Sequence, residues 1–284
     1  MVRKLAAGMC FLLASFSGFS QTEGVFWKIS GKGLPAVSYL FGTIHLMCED
    51  EFHMSQQIRQ RLGQAEALVM EIDLDDPDLY GEVMTNMYNE NGEKITDFLS
   101  VNEYQKIRTF LLERTGMDLD RMLEMRPMVL MSLIYPNLLE CETMAFENEL
   151  MRLAGEKETP VLGLESVETQ LSFFDRIPLE EQYRSFFTYT EDMEKGKQEF
   201  GKLQKSYLAE DIAELLTLVA ESPEYQNYQE VLVDQRNESW IRPMGDLMQK
   251  GSMFFAVGAG HLAGDRGLIR LLKKEGYLVE RIYL

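Results

Sequence analysis

Two hydrophobic periods share the first third of the chain. Gly24 to Ser30 and Ser38 to Ile44 are short apolar runs separated by Gly31-Lys32-Gly33, which predicts two strands joined by a turn. Ser55 stands where an N-cap belongs, ahead of Ile58 and Leu62 on one helix face. Ala67 to Asp73 reads as a strand, and Asp76-Pro77 as a helix start with Asp as cap and Pro in the first turn. Ser100-Val-Asn-Glu103 is a capping box before Tyr104, Ile107 and Leu111, with Gly116 as the stop. Pro127 to Leu139 and Met144 to Ala154 predict two more helices, and Val161 to Leu164 a short buried strand. From Pro178 to about residue 235 the pattern is helical without a strand and reads as an insertion. A helix starting near Asn237 should kink or restart at Pro243. Ser252 to Val257 is an apolar strand. A helix capped by Asp265 follows, with Leu268, Leu271 and Leu272 inward and Gly276 as its stop, and Tyr277 to Tyr283 is the last strand.

Strands separated by helices predict an α/β fold. Its sheet should be mainly parallel, with an N-terminal antiparallel hairpin, flanking helices and a large helical insertion at about 178–235. The first twenty residues stand apart. Arg3 and Lys4 precede an apolar stretch from Leu5 to Phe16, and Gly18 and Ser20 set up a cut before Gln21. This is the pattern of a secretory signal peptide over residues 1–20, with a single domain over 21–284; a buried N-terminal helix is the competing reading. No later segment approaches about 20 uninterrupted apolar residues, so the expected protein is exported, periplasmic or secreted, without a transmembrane segment.

Charge narrows the function classes. The chain has 46 acidic and 28 basic residues, a formal net charge of −18. Loss of Arg3 and Lys4 with no acid takes −18 to −20. A nucleic-acid partner needs a basic face, and anionic lipid repels this surface. Cys10 leaves with the signal, so Cys48 and Cys141 remain. In an oxidising compartment they can form one disulfide; two buried free thiols are the alternative.

The candidate chemistry sits at strand ends. Gly42-Thr-Ile-His45 and Gly258-Ala-Gly-His261 are two G-x-x-H motifs, each directly after an apolar strand. Glu71 and Glu165 also follow apolar strands, and open α/β sheets bind ligands beyond the carboxyl ends of their strands. Imidazole and carboxylate together suit a divalent metal. Each residue has a plainer reading: a hydrogen-bonding structural histidine, a helix-capping or ion-paired glutamate. Arg236 and Asn237 offer a guanidinium and an amide to an anionic or carbonyl group, whereas Asn237 also fits an N-cap with Trp240 in the first turn. His53, in a polar loop, reads as surface. Gly258 to Ala263 approximates a dinucleotide fingerprint, but His261 occupies its phosphate-facing turn and the chain ends too soon after it. The 18 methionines read as core filling, with a pliable peptide groove as the alternative.

These marks resemble the TraB/GumN family, which includes the Tiki metalloproteases. The likeness runs through Tyr39-Leu-Phe-Gly-Thr-Ile-His45, Glu71 after Leu-Val-Met, and Val161-Leu-Gly-Leu-Glu165 with Gln170. It continues through Arg236-Asn237 with Trp240, then Phe255 to Gly264 and on to Gly276-Tyr277. The resemblance implies an α/β core, a helical insertion and a metal site with two histidines. Tiki members are manganese- or cobalt-dependent peptidases that trim a secreted signalling protein. Carried to this chain, it makes His45 and His261 metal ligands and Glu71 a ligand or general base. Arg236 and Asn237 would hold substrate or stabilise an oxyanion, and Glu165 is a further substrate-side candidate. The metal would be Mn or Co, with Zn an option. In place of the family's Gly-x-Asp this chain has Ala145-Phe-Glu147, which keeps the carboxylate without the glycine. The expectation is an exported metal-dependent hydrolase acting on a peptide or protein. A non-catalytic peptide- or metal-sequestering protein and a metal-dependent esterase are the alternatives.

Overall fold

Gly31, Lys32 and Gly33 all take positive φ (82°, 49° and 73°), and this tight left-handed run folds the first two strands into a hairpin. In a computed structural model of the chain, residues 24–139, 141–222 and 227–284 are described. The expected signal segment, 1–20, lies outside them.

The strands are β1 (Phe26–Ser30), β2 (Ser38–Thr43), β3 (Met47–Cys48), β4 (Ala67–Met70), β5 (Thr143–Met144), β6 (Val161–Gly163), β7 (Met253–Gly258) and β8 (Leu278–Arg281). Six of them form one sheet in the order β6-β4-β7-β2-β1-β8. The first four run parallel to one another, while β1 pairs antiparallel with both β2 and β8. This is the mixed α/β sheet expected from the alternation of strands and helices. β2 is buried along its whole length, as is β7 up to Val257, and this matches their continuous apolar sequences. β3 and β5 make a separate two-stranded ribbon. Beside it Cys48 and Cys141 are joined in a disulfide, with Cα atoms 5.7 Å apart.

The helices follow in chain order. α1 (Gln56–Leu62), α2 (Leu79–Asn86), α3 (Ile95–Phe98), α4 (Val101–Thr115) and α5 (Pro127–Ile134) come before β5. α6 (Phe146–Lys157) and α7 (Val167–Phe174) flank β6. α8 (Leu179–Glu191), α9 (Met193–Leu208) and α10 (Ile212–Glu221) make up the run expected to be helical. α11 (Gln235–Met248) and α12 (Leu268–Lys274) flank β7. The main core lies on the sheet, where Phe26, Phe41, Phe146, Phe254 and Tyr207 form a chain of ring contacts. A second core gathers Ile107, Leu111, Leu130 and Ile134 with Tyr183 and Phe186, so α8 closes over α4 and α5.

Local signals predicted most boundaries. Ser55 and Ser100 cap α1 and α4, the latter with the reciprocal Glu103 bond, and Gly116 ends α4 in the left-handed region at φ 72°. Several boundaries differ. The strand expected to reach Asp73 stops at Met70, and beyond it the Met70 and Glu71 carbonyls accept from the Leu164 and Glu165 amides, past the end of β6. Asp76 does not cap α2; its carboxylate accepts the Asp78 amide in an Asx turn, and the helix begins at Leu79. The helix expected over Pro127–Leu139 tightens into a 3-10 turn at Tyr135–Leu138, around Pro136. Residues expected to open α6 at Met144 instead pair with β3. Gly267, not Asp265, precedes α12, which buries Leu268, Ile269 and Leu272. α11 runs through Pro243 to Met248 without restarting, and a π-helical turn, Glu230–Asp234, leads straight into it.

Candidate functional site

The sheet order decides which strand ends meet. β6, β4, β7 and β2 are adjacent and parallel, so the residues beyond their carboxyl ends stand side by side: Glu165, Glu71, His261 and His45. Gly42 explains why the two G-x-x-H motifs can approach. A Cβ on Gly42 would lie 2.6 Å from Leu262 Cδ1 and 3.0 Å from Ala259 Cα, so only glycine lets the end of β2 pass under the 3-10 turn Ala259–His261. From the other side, the Tyr207 hydroxyl of α9 donates to the Gly42 carbonyl at 2.9 Å.

Hydrogen bonding settles the state of His261. Asn237, fully buried in α11, donates its Nδ2 to the carbonyls of Arg266 (2.9 Å) and His261 (3.3 Å). Its Oδ1 must then be the atom 2.7 Å from His261 Nδ1, so Nδ1 carries the hydrogen and Nε2 keeps a lone pair. Burial disfavours the imidazolium; the attraction of Glu71 does not reverse this, and the repulsion of Arg236 adds to it. The pKa falls to about 3 and the ring is neutral at pH 7. Trp240 packs against it, ring centroids 4.6 Å apart.

Glu71 is enclosed by donors. Its Oε1 accepts the Gly258 amide (2.9 Å), and its Oε2 accepts Arg236 Nη2 (2.6 Å) and Gln170 Nε2 (3.2 Å). Burial pushes its pKa up, but the charge of Arg236, helped by the histidines and the Gly258 N–H, holds it well below the usual carboxylate range. Arg236 is itself buried. Its Nε donates to Glu165 Oε1 at 2.9 Å, its Nη1 to the Leu232 carbonyl, and its guanidinium lies 4.8 Å from the Trp240 ring. Burial opposes its charge, yet Glu71 and Glu165 raise its pKa further. The other oxygen of Glu165 accepts Trp240 Nε1 at 3.0 Å. The side chain of Glu165 is only 2% exposed, so it anchors Arg236 from below.

His45 is the outward member, its side chain 74% exposed. Its Nδ1 meets Glu147 Oε1 at 3.0 Å, and Thr43 Oγ1 donates to the same oxygen at 2.7 Å. Desolvation works against a charged ring, but the bond and charge of Glu147, with Glu71 behind, raise the pKa to about 9. The other oxygen of Glu147 is buried without a partner. Glu147 and Thr43 thus belong to the site. The departure Ala145-Phe-Glu147 pointed to the first; the second could have been read from its position two residues before His45. His53 is exposed in its loop, as expected.

The donor types present, two imidazoles and a carboxylate, are those a divalent cation takes. Both histidines have Nδ1 engaged, by Glu147 and by Asn237, which is how ligating histidines are oriented through their second nitrogen. Glu71 Oε1 lies 3.8 Å from His261 Nε2. Arg236 Nη1, 3.3 Å away, rests against that same Nε2. Among the described residues no three His, Cys, Asp or Glu side chains are gathered closely enough to hold an ion. Asn237 has spent both amide atoms on the protein, so it reaches any bound group only through His261.

Residues 25–281 match the TraB/PrgY/gumN family. The chain belongs to this family. Among curated proteins, it is similar to "Metalloprotease TIKI2" of Danio rerio, with 42% identity over 52 residues. That stretch is 17% of this chain and 10% of the relative, so the chain spans a small part of the length of the protein it matches. No solved structure matches.

Proposed function

We propose that this protein is an exported metal-dependent hydrolase that cleaves peptide bonds. One observation carries the reading: Glu71, His261 and His45 end three consecutive parallel strands, and each histidine has its Nδ1 tied back, so that Nε2 is the atom each would turn to a cation, His45 after losing its proton and His261 in place of its Arg236 contact. The likeness to a metalloprotease supports the reaction class. The Cys48–Cys141 bridge supports export, because disulfides persist in oxidising compartments.

His45, His261 and Glu71 would hold the ion, which supplies Lewis-acid polarisation of a scissile carbonyl and a more acidic water. Glu71, held firmly ionised, serves as an anion rather than a general base, whose pKa should lie near the working pH. Arg236 stands between Glu71 and His261, with Nη2 on Glu71 and Nη1 on His261 Nε2, and its charge would stabilise an oxyanion developing beside them. Glu165 and Asn237 are positioning residues, for Arg236 and His261 respectively. A sequestering protein without turnover is favoured by one observation: Arg236 is already ion-paired with both Glu71 and Glu165.

The test is hydrolysis of a peptide library by residues 21–284 with Mn²⁺ or Co²⁺, read by mass spectrometry. Cleavage should vanish with chelator and in His45→Ala and His261→Ala proteins whose circular dichroism is unchanged. Persistence of cleavage in both variants would refute the mechanism. Stoichiometric peptide binding without product would establish the sequestering role.

A further inference from the structure

Helices in this protein bury their apolar side, as α4 buries Tyr104, Ile107 and Leu111. α2 is the reverse, with no buried residue at all. Tyr80, Val83 and Met84 lie at i, i+3 and i+4, with Tyr88 one turn on, and they are 75%, 41%, 41% and 44% exposed. With Leu74 they make five of the twelve exposed large apolar side chains among the described residues, all within residues 74–88. Single exposed apolar side chains are ordinary, but a contiguous group marks an interaction surface.

The same stretch is acidic. Asp75, Asp76, Asp78 and Glu82 fall within it, Asp73 stands immediately before it, and no Lys or Arg occurs between Arg61 and Lys94. Among the described residues none of these five carboxylates forms an ion pair; Asp73 and Asp76 only accept backbone amides two residues on. The surface continues from the candidate site. Asp73 is two residues beyond Glu71. α2 packs on α7, and Gln170 of α7 donates to both Glu71 and Glu165.

We propose that residues 74–88 dock a cationic amphipathic peptide segment, one with Lys or Arg spaced among apolar residues, and feed it to the strand-end site. Five uncompensated carboxylates around an apolar stripe complement such a segment and repel acidic partners and anionic membranes. A two-fold pair of this chain would set the same carboxylates against each other. That docking leads to cleavage rests on the hydrolase reading; the docking itself does not.

The experiment is fluorescence anisotropy on the full mature chain. The probe is a labelled Leu/Lys peptide with helical i, i+3, i+4 spacing, run beside its Leu/Glu counterpart. The Lys peptide should bind at least about tenfold tighter than the Glu peptide, and more weakly as salt rises. A Val83→Ser/Met84→Ser protein and an Asp75→Asn/Asp76→Asn protein should each lose about tenfold, with unchanged circular dichroism and Tm, since all four side chains are exposed. Equal affinity for the two peptides, no binding, or full affinity in both variants overturns the proposal. So does a dimer in light scattering that the Val83→Ser/Met84→Ser protein loses, which would make this face a self-interface. Lys peptide bound but uncut with Mn²⁺ or Co²⁺ removes the hydrolase and keeps the docking. Cleavage without charge preference, equal in wild type and variants, does the reverse.

Discussion

Asn237 carries more of the site than its exposure suggests. It is fully buried, and its amide joins the His261 ring to two backbone carbonyls of the following loop. Asn237→Leu keeps the approximate volume but strips a partner from the Nδ1–H and from the Arg266 carbonyl. Unsatisfied buried groups of this kind cost about 1–3 kcal/mol, so the Tm should fall accordingly. The imidazole also loses the bond that selects its tautomer, and loss of such a partner weakens metal affinity about 10–100-fold. Titration calorimetry with Mn²⁺ or Co²⁺ checks this; a lowered Tm with undiminished affinity would make Asn237 purely structural. The sequence alone favoured a helix cap at this residue. The π-helical turn before α11 lengthens the helix upstream and puts Asn237 inside it, and only the contact with His261 reveals what the amide does there.

Among the elements, the crossing of β2 beneath the Ala259–His261 turn is the tightest point of the site. Gly42→Ala would drive a methyl into the Ala259 backbone, and overpacking of this kind costs about 1–3 kcal/mol. Gly258, in the same position of the second motif, has φ −53° and ψ 136°, open to any residue. A Cβ there meets Glu71 Oε1 at 3.4 Å, an ordinary contact. Thermal denaturation should therefore rank Gly42→Ala clearly below Gly258→Ala. Equal losses would refute the close-approach explanation. The disulfide works at the same scale. It clips the segment after His45 to the segment before Glu147, across the β3–β5 ribbon, and so holds the two partners in register.

At the scale of the whole molecule, charge and pH act through a few buried clips. Glu149 of α6 is buried and bridges Arg59 of α1 (2.6 Å) and Arg152 of its own helix (2.7 Å). The Arg152 bond lowers its pKa most; burial opposes the shift, and Arg59 adds to it. A lowered folded pKa gives stability that is present above the unfolded glutamate value of about 4.3 and is lost as pH falls through the folded value. Both arginines are about half exposed, so solvent screening holds the contribution to about 0.2–1 kcal/mol. Glu149→Gln should lower the Tm at pH 7 by that equivalent, and the two Tm curves should converge as pH drops below about 4.3. Curves that stay parallel through that range would show that the clip contributes nothing.

The sequence by itself determined what local chemistry controls: the hairpin, the serine caps of α1 and α4, the alternation that makes an α/β fold, and the placing of His45, Glu71, Glu165 and His261 just past apolar strands. Period, capping and turn preference act within a few residues, so they are readable without the fold. Tertiary structure decided the rest. Strand order follows from which crossovers bury the apolar faces of the sheet, and only the order β6-β4-β7-β2 makes four distant residues neighbours. Glu147 meets His45 across 102 positions and Arg236 meets Glu71 across 165. Contacts at such separations depend on packing the whole chain at once, and no local pattern encodes them.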